Sequence, residues 1–163
     1  MPKVDDVTQL GVACIFDAAT HKEIESWVYT AAAEGELDPD VFGILSRDVR
    51  TSRARFERYF RKVRPGFRID SDEGIRACKT LLKQQIDRLH AEQIAPYAFC
   101  RFICALEAYY LDNASEIDGA IPYPDFLGDL WNACDWCDES WTLDNAEDLR
   151  DESARIAQTL AEA

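Results

Sequence analysis

Two histidines, seven glycines and one methionine in 163 residues leave little of what catalytic chemistry usually draws on. The glycines are not spaced as a phosphate-binding loop or a dinucleotide fingerprint, both of which need Gly-rich turns that bring backbone N–H groups onto phosphate. The HExxH zinc helix and the GxSxG nucleophile elbow are also missing. Carboxylates are so numerous, 31 of them, that no pair stands out for acid–base work. No apolar run reaches the roughly 20 residues of a membrane span. The longest, residues 95–111, is interrupted by Arg101 and Glu107. Residues 10–16 are apolar, but Asp5 and Asp6 stand where a secretory leader is basic. The composition points to a soluble, cytoplasmic, non-catalytic protein with no cofactor and no membrane partner.

What the chain does have is acid and apolar mass. Its formal charge is -13, and 47% of its residues are hydrophobic, too many for a disordered acidic tail. The charge is segregated. Residues 1–46 carry -7, residues 47–90 carry +7, residues 91–111 carry -1 and residues 112–163 carry -12. A net polyanion is repelled by nucleic acid and by anionic lipid, and is drawn to basic proteins.

Helical spacing dominates. Thr20-x-x-Glu23 reads as a capping box ahead of Ile24, Trp27, Val28 and Ala31, with Gly35 as a stop. Asp38-Pro39 reads as a cap and first helical residue. Residues 49–63 form a basic amphipathic helix with Val49, Phe56, Phe60 and Val63 as its apolar stripe. Asp70-x-x-Glu73 reads as a second capping box, opening a helix that lasts to about residue 93. Residues 97–111 are apolar nearly all round, so they predict a central helix packed on most sides, whose Arg101 and Glu107 need partners. Residues 113–124 form a loop, helix 125–137 follows, and a last helix covers about residues 145–161. Val7, Leu10 and Cys14 favour helix over strand for residues 7–16. The expected fold is all-α, a single domain over residues 1–163 with about six to eight helices.

Six cysteines in such a protein read as free thiols. Cys100 and Cys104 are four apart, and Cys134 and Cys137 form a CxxC. Both pairs fall in apolar helical patterns, where a thiol packs as a small hydrophobe. The alternative is a zinc or redox site built from Cys100, Cys104, Cys134 and Cys137.

Helix 125–137 holds the candidate binding surface. At about 100° per residue, Leu127, Leu130, Trp131 and Cys134 share the core side and Trp136 falls opposite, among Asp125, Asp129 and Asn132. Asp135, Asp138, Glu139 and Asp144 extend the acid. Two readings of Trp136 stay open: another helix covers it, or it anchors a partner, as interfacial tryptophans do. Trp131 and Trp141 are assigned to the core. Arginines among Phe56, Tyr59 and Phe60 admit a nucleic-acid contact, but a solvated face partly paired with the acidic ends accounts for them better. No nucleophile accompanies His21 or His90.

The chain resembles the immunity proteins of bacterial toxin–immunity systems, in its small acidic make-up and in the style of FDAATHKEIESW (residues 16–27) and IPYPDFLGDLWNACDW (residues 121–136). The resemblance implies a protein-binding inhibitor that blocks a cognate toxin domain, often a basic nuclease. No residue role is carried over from it. The basic middle departs from a uniformly acidic surface and leaves room for a second contact to the partner. A homo-oligomer and a phage-type inhibitor of a host protein are other uses for the same surface.

Overall fold

The computed structural model describes residues 4–35, 38–113 and 125–162. Among these there are eight helices and no strand, so the chain is all-α. Residues 114–124, most of the expected loop and the start of the 121–136 stretch, lie outside the described residues. Two compact units divide the chain, Met1–Leu81 and Leu82–Ala163. The division falls within one helix, α5 (Asp72–His90).

The first unit contains α1 (Val4–Ile15), α2 (His21–Ala33), α3 (Pro39–Phe42) and α4 (Val49–Val63). The N-terminus of α2 is set by the expected capping box: Glu23 N–H donates to Thr20 Oγ1 at 3.2 Å, and Thr20 N–H donates to the Glu23 carboxylate at 2.9 Å. Such a box satisfies two of the N–H groups that a helix start leaves open, and a capping side chain is worth about 1 kcal/mol. Asp38 caps α3 through Asp40 N–H, with Pro39 in the first turn. Asp48 caps α4 through Arg50 N–H.

Helix α4 is the organiser of this unit, packing against α1, α2 and α3. Phe56 and Phe60 of the expected stripe are buried, joined by Ser52 and Tyr59, whereas Val49 is half-buried and Val63 turns outward. Trp27 of α2 meets Phe56 edge-on with centroids 4.9 Å apart and lies 5.5 Å from the Tyr59 ring. Helix α1 reaches α4 through Gly11, where a Cβ would sit 2.5 Å from the Phe60 ring. The absent side chain is what permits the approach. Gln9 ties α1 to α5 by donating to Ala77 O at 3.1 Å.

The expected capping box at Asp70 is not what starts α5. Ser71 Oγ takes the Gly74 N–H, while both acids go to arginines. Asp70 forms a salt bridge with Arg68, and Glu73 is held by both arms of Arg64 at 2.7 and 2.8 Å. A bidentate guanidinium pair outcompetes a carboxylate–amide contact. Arg64 also donates to Thr8 Oγ1 at 2.7 Å, joining α1 to the α4–α5 connection. These arginines hold Glu73 and Asp70 below the usual carboxylate range, chiefly through the hydrogen bonds they donate.

The second unit contains α6 (Pro96–Asn113), α7 (Asp125–Ala133) and α8 (Glu147–Glu162), with α7 packed on both α6 and α8. Helix α6 is not covered on most sides. Phe99, Cys100, Phe102, Ile103 and Leu106 are buried, but Arg101, Cys104, Ala105 and Ala108 are exposed. Small side chains made this face read as core. Arg101 lies in solvent over the Tyr97 ring, 5.9 Å from its centroid, so it carries no buried charge to compensate. No helix among the described residues is long and apolar enough to cross a membrane.

Candidate functional site

Helix α7 ends at Ala133, four residues short of the expected boundary. Cys134 N–H still reaches back to Leu130 O at 3.0 Å, and Asp135 N–H to Asn132 O at 3.1 Å. Trp136 then takes φ +67°, in the left-handed region that ends many helices and that a non-glycine residue enters at a cost of about 1–2 kcal/mol. The Cys137 N–H closes the turn on Cys134 O at 3.0 Å. The chain leaves the helix axis here and thrusts the indole outward, 88% exposed.

This geometry revises the helical-face argument for the site. Trp136 stands on a turn and not on a helix, so its sequence neighbours Asp135, Asp138 and Glu139, all exposed, define its surroundings. Asp138 accepts from Ser140 N–H at 2.7 Å and from the Ser140 hydroxyl. These bonds hold its carboxyl below the ordinary range, so it stays ionised. Asp144 is exposed further along the same connection. Asn145 braces that connection, accepting from Thr142 N–H at 2.8 Å and donating to Ser140 O at 3.1 Å. No Lys or Arg occurs from residue 134 to residue 146.

The helix-borne members of the expected set behave differently. Asp129 is exposed but already occupied by Arg155 of α8 at 2.7 Å, which also binds Glu152 at 2.7 Å. It joins α7 to α8 and adds little free negative charge. Asn132 is exposed on α7. Asp125 is the first residue of α7, and its side chain lies outside the described ones. Leu127, Leu130 and Cys134 are buried as expected, whereas Trp131 is 39% exposed and Trp141 half-buried. Neither belongs to the core as expected. Trp131 follows Leu130 by one residue, so it sits about 100° round the helix, at the edge of the buried stripe.

The cysteines also depart from the free-thiol expectation. Cys100 of α6 and Cys134 at the end of α7 form a disulfide with Cα atoms 5.3 Å apart, within the range a bridge requires. Cys104 is exposed and Cys137 half-buried. Cys14 and Cys78 are buried, and burial pushes the Cys14 thiol up to about 12, which makes it inert at neutral pH. Among the described residues, no three His, Cys, Asp or Glu side chains gather as a metal ion requires.

The basic helix engages much of its charge within the chain. Arg53 donates to Ala19 O at 2.7 Å and Arg55 to Gly43 O at 3.0 Å. Arg61 pairs with Glu57, and Lys62 with Asp38 and Asp40. These bonds fix the connections beside α2 and α3. The small pocket between α3 and α4, about 230 Å³, is lined by Asp40 together with Arg55, Arg58 and Lys62, so its cations are partly answered from within. His90 Nε2 lies 2.9 Å from Ser153 Oγ. That hydroxyl donates to Arg150 O at 3.0 Å, so His90 must supply the proton of the shared bond. Ser153 is fully buried, which makes the pair a structural tie and not a nucleophile.

No protein-family model, no curated protein and no solved structure matches this chain.

Proposed function

We propose that this chain is a protein-binding inhibitor, of the kind that bacterial immunity proteins represent, acting on a cognate toxin domain with a basic surface. One observation carries the reading. A tryptophan stands 88% exposed on a left-handed turn, in a segment with carboxylates at 135, 138, 139 and 144 and no cation between residues 134 and 146. Exposing an indole forgoes roughly 1.5–3 kcal/mol of burial. A partner that covers it recovers that energy, and interfacial tryptophans are commonly hot spots. The carboxylates attract a basic partner's cations on approach and raise the encounter rate. Occlusion of the partner's active surface then requires no chemistry from this chain.

The test is co-expression with the product of the adjacent gene, followed by titration of the purified pair. Rescue of growth by the wild-type chain is expected. Trp136→Ala should weaken binding by about 30-fold or more, as a loss of at least 2 kcal/mol implies, with the circular dichroism spectrum unchanged. Failure to rescue, or equal affinity of the Trp136→Ala variant, overturns the reading.

A further inference from the structure

Cys104 and Cys137 are the second pair of thiols between α6 and the end of α7. The Cys100–Cys134 bond fixes the register of these two elements. Cys104 lies one helical turn past Cys100, about 6 Å along the α6 axis. Cys137 lies three residues past Cys134, on the turn closed by its own N–H to Cys134 O at 3.0 Å. We propose that Cys104 and Cys137 form a vicinal dithiol site that closes to a second disulfide when it meets a small disulfide oxidant of the glutathione class.

Three observations support the pairing. Both sulfurs are free, and Cys104 is exposed to a reagent. The two thiols also lie within each other's electrostatic reach. Burial, then Asp138, then Cys104 push the Cys137 thiol up to about 11. Burial and Glu107 push Cys104 up from its ordinary value. Finally, no metal-holding group claims either sulfur among the described residues.

The order of events follows from access. The Cys104 thiolate attacks one sulfur of the oxidant, forming a mixed disulfide and releasing one small thiolate. The Cys137 thiolate attacks the Cys104 sulfur of that mixed disulfide, forming the Cys104–Cys137 bond and expelling the second small thiolate. The two protein protons end on the two departing thiolates. The oxidant is reduced by two electrons, and the two cysteines are oxidised by two. Because both thiols are held protonated at neutral pH, the rate should rise roughly tenfold per pH unit between about pH 7 and 9. The second bond tethers the Trp136 turn to α6 at a point beyond the existing bridge, whatever that turn binds.

The test treats the native protein with oxidised glutathione, blocks remaining thiols and digests with trypsin. Arg101 and Arg150 are consecutive basic residues, so trypsin leaves residues 102–150, holding Cys104, Cys134 and Cys137, as one peptide. Cys100 falls in the peptide 89–101. The expected product keeps 89–101 joined to 102–150 and has no blocked thiol in either peptide. A further cut between 104 and 137 should leave the halves disulfide-linked. Cys137→Ser should instead hold one glutathione on Cys104. Three outcomes overturn the proposal: Cys104 or Cys137 of the wild type remaining blockable, glutathione adducts that accumulate without closing, or release of 89–101, which would mean that the Cys100–Cys134 bond has exchanged.

Discussion

Reducing the Cys100–Cys134 bond should lower stability by an amount the chain length sets. The cysteines are 34 positions apart, and closing a loop of that size removes about 3.8 kcal/mol of unfolded-state entropy in the chain-entropy account. The bridge joins α6 to the end of α7, which are already packed together, so the folded state needs little rearrangement to keep its contacts without the bond. The assay is urea unfolding followed by far-ultraviolet circular dichroism, with and without a phosphine reductant. Reduction keeps every side-chain carbon in place and isolates the covalent contribution from packing. With a urea slope of about 2 kcal/mol per molar, the midpoint should fall by about 2 M. The double variant Cys100→Ser, Cys134→Ser should unfold identically with and without reductant. A wild-type shift under about 0.5 M, once complete reduction is verified by alkylation, refutes the loop-closure reasoning.

Two further perturbations probe the first unit. Gly11→Ala places a methyl 2.5 Å from the fully buried Phe60 ring. Overpacking of about 1–3 kcal/mol should outweigh the roughly 1 kcal/mol that alanine gains over glycine in a helix, so the urea midpoint should fall. A rise would mean α1 and α4 have room to separate. The second perturbation is acid. Glu73 is held low by the Arg64 hydrogen bonds, so its folded pKa lies below its unfolded one. The stability it contributes is present above the unfolded value, near pH 4.5, and is lost as pH falls through the lower folded value. Arg64→Gln should therefore flatten the stability curve between about pH 5 and 3, read as urea midpoints. An unchanged slope there would dismiss the pair as a source of pH dependence.

How much of this was legible in the sequence depended on whether the deciding contact was local. The Thr20–Glu23 box and the Asp38-Pro39 start are made within four residues, and they stand as read. At Asp70 and Glu73 the same pattern failed, because Arg68 and Arg64 claim the carboxylates and a serine does the capping. The end of α7 was invisible: residues 134–137 contain no glycine or proline to stop a helix, and the stop is a left-handed tryptophan beside a bridge to α6. The bridge itself was equally hidden, since spacing within each cysteine pair says nothing about pairing between them. Of the candidate surface, the acid and Trp136 could be named from sequence, but Asp129's engagement with Arg155 and the outward position of Trp131 required the tertiary arrangement.

The tertiary arrangement also locates the charge. Residues 112–163 contain only two bases, Arg150 and Arg155, and both stand on α8. Arg155 serves Asp129 and Glu152, while Arg150 lies near Glu147 and Asp151. Every cation of the segment is thus placed among helix-borne acids, and none is left near the connection between α7 and α8 in sequence. Asp135, Asp138, Glu139 and Asp144 therefore carry their charge without a Lys or Arg partner among the described residues, in the same segment as an indole whose electron-rich face attracts Lys or Arg. At an ionic strength of about 0.1 M that field reaches only about 10 Å. On the proposed reading, the attraction would act on a partner's cations as they close on Trp136, and the tryptophan, not the total charge of -13, would fix where on this surface they arrive.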